Sequence, residues 1–168
     1  SLRGADLSGT DCSESTLVGA TLDECVAAET DFTSATLTDA LIRDVGLTTA
    51  RLVDCELSNA TLDRSDLSGV ELTNQSLDGI GLEDARLVGT ELRGSTLTEV
   101  VLTGAVLRDA DLSGTELDDA TLAEADLSEA LVRGASLAQA TLAGAIAEGA
   151  DLTDAELTDV DLTGVDCS

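Results

Sequence analysis

Every fifth residue of this chain is apolar, without interruption, from Leu2 to Cys167. Of these 34 positions 27 are leucine, and the other seven are Cys12, Ala27, Phe32, Ile42, Val132, Ala147 and Cys167. In an α-helix five residues turn through about 500°, so the leucines would spiral around the helix and form no stripe. In a flat strand an odd spacing sends successive leucines to opposite faces. A chain that bends once in every five residues can bury all of them.

The other positions of the five-residue unit agree with one bend per unit. We name the apolar residue central, the residue two before it inner, the residue two after it the corner, and its two neighbours the flanks. The inner residue is alanine at 17 of 33 sites, which fits a second inward position with little room; Gln75 and Ile80 are exceptions. Thirteen of the 15 glycines lie at corners, where turns need them. The flanks are mostly polar and are predicted to face water.

These units resemble those of a known family. The segments 5–9, 110–114 and 150–154 read ADLSG, ADLSG and ADLTD, and they are similar to the A-D/N-L-x-x unit of pentapeptide-repeat proteins. The resemblance covers the whole chain. It implies an all-β fold, a right-handed quadrilateral parallel β-helix with four units per coil. With 20 residues per coil, the chain would form about eight coils and a rod roughly 40 Å long.

The unbroken repeat predicts a single solenoid domain over residues 1–168. Stacked repeats bury their core against one another, and no proline or linker interrupts the register. The leucine layers at Leu2 and Leu162 would lie open at the two ends. We therefore expect the chain to be part of a longer one, or to have its ends covered by a flanking domain or by an end-to-end homodimer.

Composition argues against catalysis, metal binding and a membrane location. The chain has no histidine, lysine or tyrosine, and its repeated glycines lie at corners rather than in a phosphate loop. We predict no catalytic residues, no metal and no cofactor. The four cysteines, Cys12, Cys25, Cys55 and Cys167, replace core residues and are predicted to be buried free thiols. No apolar run is long enough to span a membrane, and a cytoplasmic location is expected.

The charge of the chain excludes direct binding to nucleic acids or anionic membranes. It carries 34 acidic residues against eight arginines, a net charge of −26. Duplex DNA carries roughly 24 charges over 40 Å, close to the value for this rod. One hypothesis is that the rod imitates DNA. The alternative is a structural or spacer solenoid for protein interactions, whose acidity is an adaptation to high salt. Ice binding by a column of Thr21, Thr61, Thr121 and Thr141 is a third, weaker idea, because gaps interrupt the column.

Assigning units to four faces by a 20-residue repeat separates the charges. The face of Leu17 and its successors carries nine carboxylates and no arginine, whereas each of the other three faces has eight or nine acids and two or three arginines. We predict this face, which we name the acidic face, as the binding surface. Its carboxylates are Asp39, Glu56, Asp78, Glu99, Glu116, Asp118, Asp119, Glu156 and Asp159.

The resemblance also implies a partner. Members of the Qnr quinolone-resistance type and their mycobacterial relatives resemble DNA and bind type II topoisomerases, so DNA gyrase is the partner expected for the DNA-mimic hypothesis. This chain differs from them in two respects: it has no projecting loops and no C-terminal helical segment that would build a dimer. The structural rod therefore stays open as the alternative.

Overall fold

The computed structural model describes residues 1–168 and shows a right-handed quadrilateral solenoid. From Asp6 with Val26 to Ile146 with Asp166, the preceding flanks form parallel β-bridges with the residue 20 positions later, except at Arg51 and Glu56. A step of 20 residues per coil means four units per coil, and the predicted fold is confirmed. These bridges recur along the solenoid in steps of five residues, and the chain has no helix.

Four of the five backbone N–H groups in a unit have a regular partner. The central and corner N–H groups donate to carbonyls of the next coil, the preceding-flank N–H donates to the coil before, and the inner N–H closes the turn within its own coil. The following-flank N–H has no place in this scheme. Around Leu97 the bonds are Leu97 N to Glu116 O at 2.7 Å, Glu99 N to Asp118 O at 3.0 Å, Thr96 N to Gln75 O at 3.0 Å and Val100 N to Leu97 O at 3.2 Å.

The corner residues adopt the backbone conformation that the turn requires. Every corner from Gly4 to Gly164 has a positive φ except Thr49. A β-branched residue strongly disfavours that region, which accounts for the exception. At this corner the Thr49 hydroxyl accepts the N–H of Glu29 at 3.0 Å, in place of a ladder bond to a carbonyl. The predicted role of the corner residues in the turn is therefore confirmed, and the single corner without a positive φ has a steric cause.

The central and inner residues form one continuous core of 43 buried side chains. Most polar inner residues donate their hydroxyl or thiol to the carbonyl of the central residue 23 positions earlier, as Ser95 does to Leu72 at 2.6 Å and Cys55 to Phe32 at 2.8 Å. Ser15 and Thr115 instead donate to the central residue three positions earlier. Burial raises the pKa of Cys55 to about 11, so this thiol stays protonated. The prediction of buried thiols holds for Cys25 and Cys55, but Cys12 is only half-buried, and the prediction is wrong for Cys167, which is exposed on the last coil.

The core is open at both ends of the described chain. Leu2 is 38% exposed, and Leu162 is 49% exposed. At the second end a recess of about 290 Å³ is lined only by apolar residues, among them Leu157 and Val165. The expectation that another segment or a second copy covers these ends stays a prediction. No helix long and apolar enough to cross a bilayer occurs in the structure.

Candidate acidic binding face

The 20-residue register places the nine predicted carboxylates on one side of the rod. Thr36 pairs with Glu56, and a second run of bridges connects Ser76, Thr96, Glu116, Ser136 and Glu156 in one column. Seven of the nine acidic residues are exposed, whereas Asp78 and Asp118 are half-buried. The nine carboxylates therefore share one side of the rod, with two less exposed than the rest, and the role of this face as a binding surface stays a prediction.

The negative charge of the acidic face is not compensated by cations. All eight arginines form ion pairs with a carboxylate of a neighbouring coil, and no carboxylate of the acidic face takes part. The pairs are Arg3 with Glu24, Arg43 with Asp23, Arg51 with Asp31, Arg64 with Asp44, Arg86 with Asp66, Arg93 with Asp111, Arg108 with Asp126 and Arg133 with Asp151. Because these arginines are largely exposed, the pairs contribute little to stability, but they lower the field of the other three faces.

Aspartates in the preceding flank have a backbone role that the sequence analysis missed. The carboxylate of Asp111 accepts the N–H of Ser113 at 3.0 Å, which is the following-flank N–H that the ladder leaves free. The same bond recurs wherever the sequence reads Asp-x-Ser or Asp-x-Thr around a central residue, an Asx-type turn. The carboxylates that accept in this way are Asp6, Asp11, Asp31, Asp66, Asp111, Asp126, Asp151, Asp161 and Asp166.

These hydrogen bonds favour the charged form of the carboxylate. The hydroxyl and N–H of Thr153, together with Arg133, lower the pKa of Asp151 to about 2. Hydrogen bonds from the hydroxyl and N–H two residues on also hold pKa values below their usual range at Asp6, Asp11, Asp31, Asp161 and Asp166. Since the folded state stabilises the ionised form, these groups contribute stability above about pH 4 and lose it as the pH falls.

Aspartates in the following flank accept a hydrogen bond from the same free N–H in the next coil. Asp78 accepts the N–H of Thr98 at 3.1 Å, and Asp118 accepts that of Ala138 at 3.0 Å. Asp23 and Asp63 act in the same way on the coils above them. The half-buried members of the acidic face are therefore structural anchors as well as charges.

The remaining eight aspartates are corners, so each of the 21 aspartates has a position in which it supports the backbone. Asp tolerates the positive φ of a corner better than most residues. The prediction that all flanking carboxylates face water is wrong at Asp23 and Asp126, which are only 5% and 8% exposed. Both are buried because they hold backbone N–H groups and pair with arginine.

The acidic face also has a concave feature that the sequence did not predict. A shallow groove of about 390 Å³ is lined entirely by polar residues and glycine. It forms because Gly79, without a side chain, lies between the corners Asn59 and Glu99; a Cβ at Gly79 would stand 2.5 Å from the Asn59 side-chain oxygen. The lining residues are Ser58, Asn59, Asp78, Gly79, Thr98 and Glu99.

The main chemical property of this face is the summed negative field of its carboxylates. No group of three or more His, Cys, Asp or Glu side chains is arranged to hold a metal ion. Isolated surface carboxylates are worth little one at a time, but uncompensated charges on one side of a rod add up to a potential that attracts a basic surface. The arrangement is suited to recognition of a basic macromolecule.

The excess charge makes stability depend on salt. Repulsion among the carboxylates opposes the compact state, and salt shortens the reach of each charge to about 10 Å at 0.1 M. We expect the melting temperature to rise as sodium chloride is raised from low to molar concentration, as measured by circular dichroism. A flat melting temperature across that range would contradict this expectation.

Comparison with known proteins agrees with the geometry. The profile of the family described as pentapeptide repeats (8 copies) matches residues 1–39, 42–79, 65–104, 76–114, 101–137 and 133–166. A search of curated protein sequences gives no significant match.

Two solved structures illustrate the likeness. HetL, a pentapeptide repeat protein involved in heterocyst differentiation regulation from the cyanobacterium Nostoc sp. strain PCC 7120, is 30% identical with a TM-score of 0.62; the match covers 97% of this chain and 74% of HetL. A trypsin-treated form of QnrB1, a plasmid-mediated fluoroquinolone resistance protein, is 23% identical with a TM-score of 0.53, over 97% of this chain and 89% of that one. The second likeness shows the fold alone.

Proposed function

Because this chain belongs to the pentapeptide-repeat family, whose members are generally non-catalytic structural or binding proteins, we propose that it is a binding rod whose acidic face imitates DNA and docks on a type II topoisomerase such as DNA gyrase. The observation that carries the proposal is the absence of any arginine or ion pair on a face with nine carboxylates. A basic DNA-binding saddle would meet no like charge there.

The charge density supports the same proposal. Eight coils at a spacing of about 4.8 Å give a rod roughly 40 Å long, over which duplex DNA carries roughly 24 charges. The net charge of the rod is −26. The resemblance to the Qnr type adds the partner, because proteins of that type bind type II topoisomerases in place of DNA.

The structure determines which carboxylates to change in a test. A triple change at Glu116, Asp118 and Asp119 would remove an anchor of the next coil, because Asp118 holds the N–H of Ala138. Glu99, Glu116 and Asp119 are exposed, and no side-chain hydrogen bond or ion pair involves their carboxylates. We therefore choose Glu99→Gln, Glu116→Gln and Asp119→Asn together.

The matched control removes three charges from another face of the rod. Asp126, Glu129 and Glu148 lie on the face of Leu7, but Asp126 is buried and paired with Arg108, so it cannot serve. Asp109, Glu129 and Glu148 are exposed and unpaired on that face. Their triple change to Asn, Gln and Gln alters the net charge by the same amount without touching the acidic face.

We expect the unmodified protein to inhibit DNA supercoiling by gyrase at low salt, and less at high salt because the attraction is screened. The acidic-face triple variant should need several-fold more protein for the same inhibition, since the attraction is a summed field, whereas the control triple variant should change the result little. No inhibition at micromolar protein and low salt would overturn the gyrase proposal. Equal loss in both triple variants would show that net charge, not the face, is responsible.

The second candidate is a structural or spacer rod, and one observation favours it. Every aspartate of the chain has a position that supports the backbone, so much of the acidity is accounted for by the fold itself. The glutamates are the acids that this account leaves over, and three of them, Glu56, Glu116 and Glu156, form one column of the acidic face. A rod that fails to inhibit gyrase, yet still shows the salt-dependent stability described above, would match this second candidate.

A further inference from the structure

The ladder of β-bridges along the rod is interrupted at one place. Between Asp6 and Asp166 only two bridges of the regular series are absent: Arg51 forms none with Glu71, and Glu56 forms none with Ser76. We name the contact between residues 50–57 and residues 71–76 the seam. It crosses the acidic face and the face beside it, while the other two faces of the same pair of coils keep their bridges.

Backbone hydrogen bonds are missing at the seam as well. Ladder bonds from the N–H groups of Ala27, Glu29, Gly46 and Thr49 are also missing, but there the bridge between Val26 and Gly46 remains. The ladder partners at the seam form no bond, although the same bonds are present one coil further on, where Leu72 N donates to Glu91 O and Leu77 N to Thr96 O, both at 2.8 Å. Buried N–H groups without a partner are costly in a folded protein. In each missing pair the first residue would donate its N–H to the carbonyl of the second: Leu52 to Glu71, Asp54 to Thr73, Leu57 to Ser76, Glu71 to Ala50 and Ser76 to Cys55.

Gln75 explains why the interruption lies here. It occupies an inner position and is only 9% exposed, and its Nε2 donates to the Leu52 carbonyl at 2.8 Å. That carbonyl would otherwise close the turn with the N–H of Cys55, and this turn bond is absent. The Oε1 atom of Gln75 has no hydrogen-bond partner.

Size alone does not account for the seam. Ile80, the other large inner residue, lies in the next unit, yet Thr61 and Gly81 still form a bridge beneath it, and Leu62 N donates to Gly81 O at 2.7 Å. The isoleucine side chain cannot donate a hydrogen bond to a backbone carbonyl, whereas the amide of Gln75 does so. A donated hydrogen bond alone does not account for it either, because Ser95 and Thr90 donate to the corresponding carbonyls of Leu72 and Leu67 while the bridges beside them remain. Gln75 combines a long side chain with a polar group, and this combination separates the two coils.

We propose that the seam is a built-in weak point, at which water reaches the unpaired groups and the solenoid opens first. In a stacked repeat each coil is held only by its neighbours, so one weak interface divides the rod into two cooperative stacks. The stack up to residue 57 and the stack from residue 71 then separate locally before either unfolds.

Native-state hydrogen exchange of the whole chain tests the proposal. The amides of Leu52, Leu57, Glu71 and Ser76 should show protection factors about tenfold or more below those of Leu72, Leu77, Glu91 and Thr96, their counterparts one coil on. In the Gln75→Ser variant the serine should donate to the Leu52 carbonyl as Ser95 does to Leu72, and the four seam amides should become as protected as their counterparts. Equal protection of the two sets in the unmodified protein, or no gain in Gln75→Ser, would overturn the proposal.

Moving the glutamine provides the matched control. In the double variant Gln75→Ser, Ser95→Gln, the fast-exchanging set should shift by one coil, to Leu72, Leu77, Glu91 and Thr96. This shift would show that the inner glutamine causes the weak point. Fast exchange that stays at Leu52, Leu57, Glu71 and Ser76 in the double variant would contradict the proposal, because it would place the cause elsewhere in those coils.

Discussion

Replacing Leu97 by alanine should lower the free energy of unfolding by about 2–5 kcal/mol. Leu97 is fully buried at mid-rod, and the register places the buried Leu77 and Leu117 directly below and above it. A cavity there cannot be filled by a neighbouring side chain without breaking the ladder, because Leu97 N and its coil are fixed by bonds to the next coil. Urea unfolding followed by circular dichroism measures the loss.

The adjacent residue is the matched control for this prediction. Thr98 lies one position further on, its hydroxyl makes no hydrogen bond, and its N–H is held by Asp78 whatever the side chain. Thr98→Ala should therefore change stability by no more than about 0.5 kcal/mol. Similar losses in the two variants would mean that the assignment of inward and outward positions is wrong.

The period of five predicts a chain that bends once per unit, because three of its positions answer separate physical demands. The central position must be apolar, the inner position must be small, and the corner must accept a positive φ. Thr49 shows that the last demand is steric, since the corner that carries a β-branched residue departs from the pattern. The number of units per coil came from the family resemblance, since a period of five alone does not fix it.

The backbone role of the following-flank aspartates could be recognised only from the coil geometry. Only the 20-residue register shows that the following-flank N–H lacks a ladder partner and that Asp78 can reach Thr98 across coils. The recurring Asp-x-Ser and Asp-x-Thr spacing was a signal that could have been found in the sequence, because it is the signature of an Asx-type turn. Gln75 was visible as an exception, but its effect on the ladder depends on which carbonyl its amide meets.

The two origins of the negative charge can be separated residue by residue. Aspartates that hold backbone N–H groups belong to the fold, and a stable solenoid of this sequence needs them whether or not it has a partner. Exposed glutamates such as Glu116 hold no backbone group, so their presence calls for another cause. A change in stability should follow the first class, and a change in partner binding the second.

Asp126 and Glu116 allow this separation to be measured, because both occupy the preceding flank. Asp126 accepts the N–H and hydroxyl of Ser128 and pairs with Arg108, and it is 8% exposed. Asp126→Ala should cost about 1.5–3 kcal/mol, the usual loss for hydrogen bonds to a charged group. Glu116→Ala should stay within about 0.5 kcal/mol.

The pH dependence gives the same prediction a second readout. Burial would raise the pKa of Asp126, but the hydrogen bonds from Ser128 and the Arg108 guanidinium outweigh it and hold the pKa below its usual range. A lowered pKa in the folded state means that the carboxylate contributes its full stabilisation above the unfolded value of about 3.9 and loses it as the pH falls from that value through the lower folded pKa. The stability difference between the unmodified protein and Asp126→Ala should therefore be largest near pH 7 and shrink below about pH 4. A difference that stays constant down to acid pH would show that Asp126 acts through packing rather than charge, and the separation of fold acids from surface acids would fail.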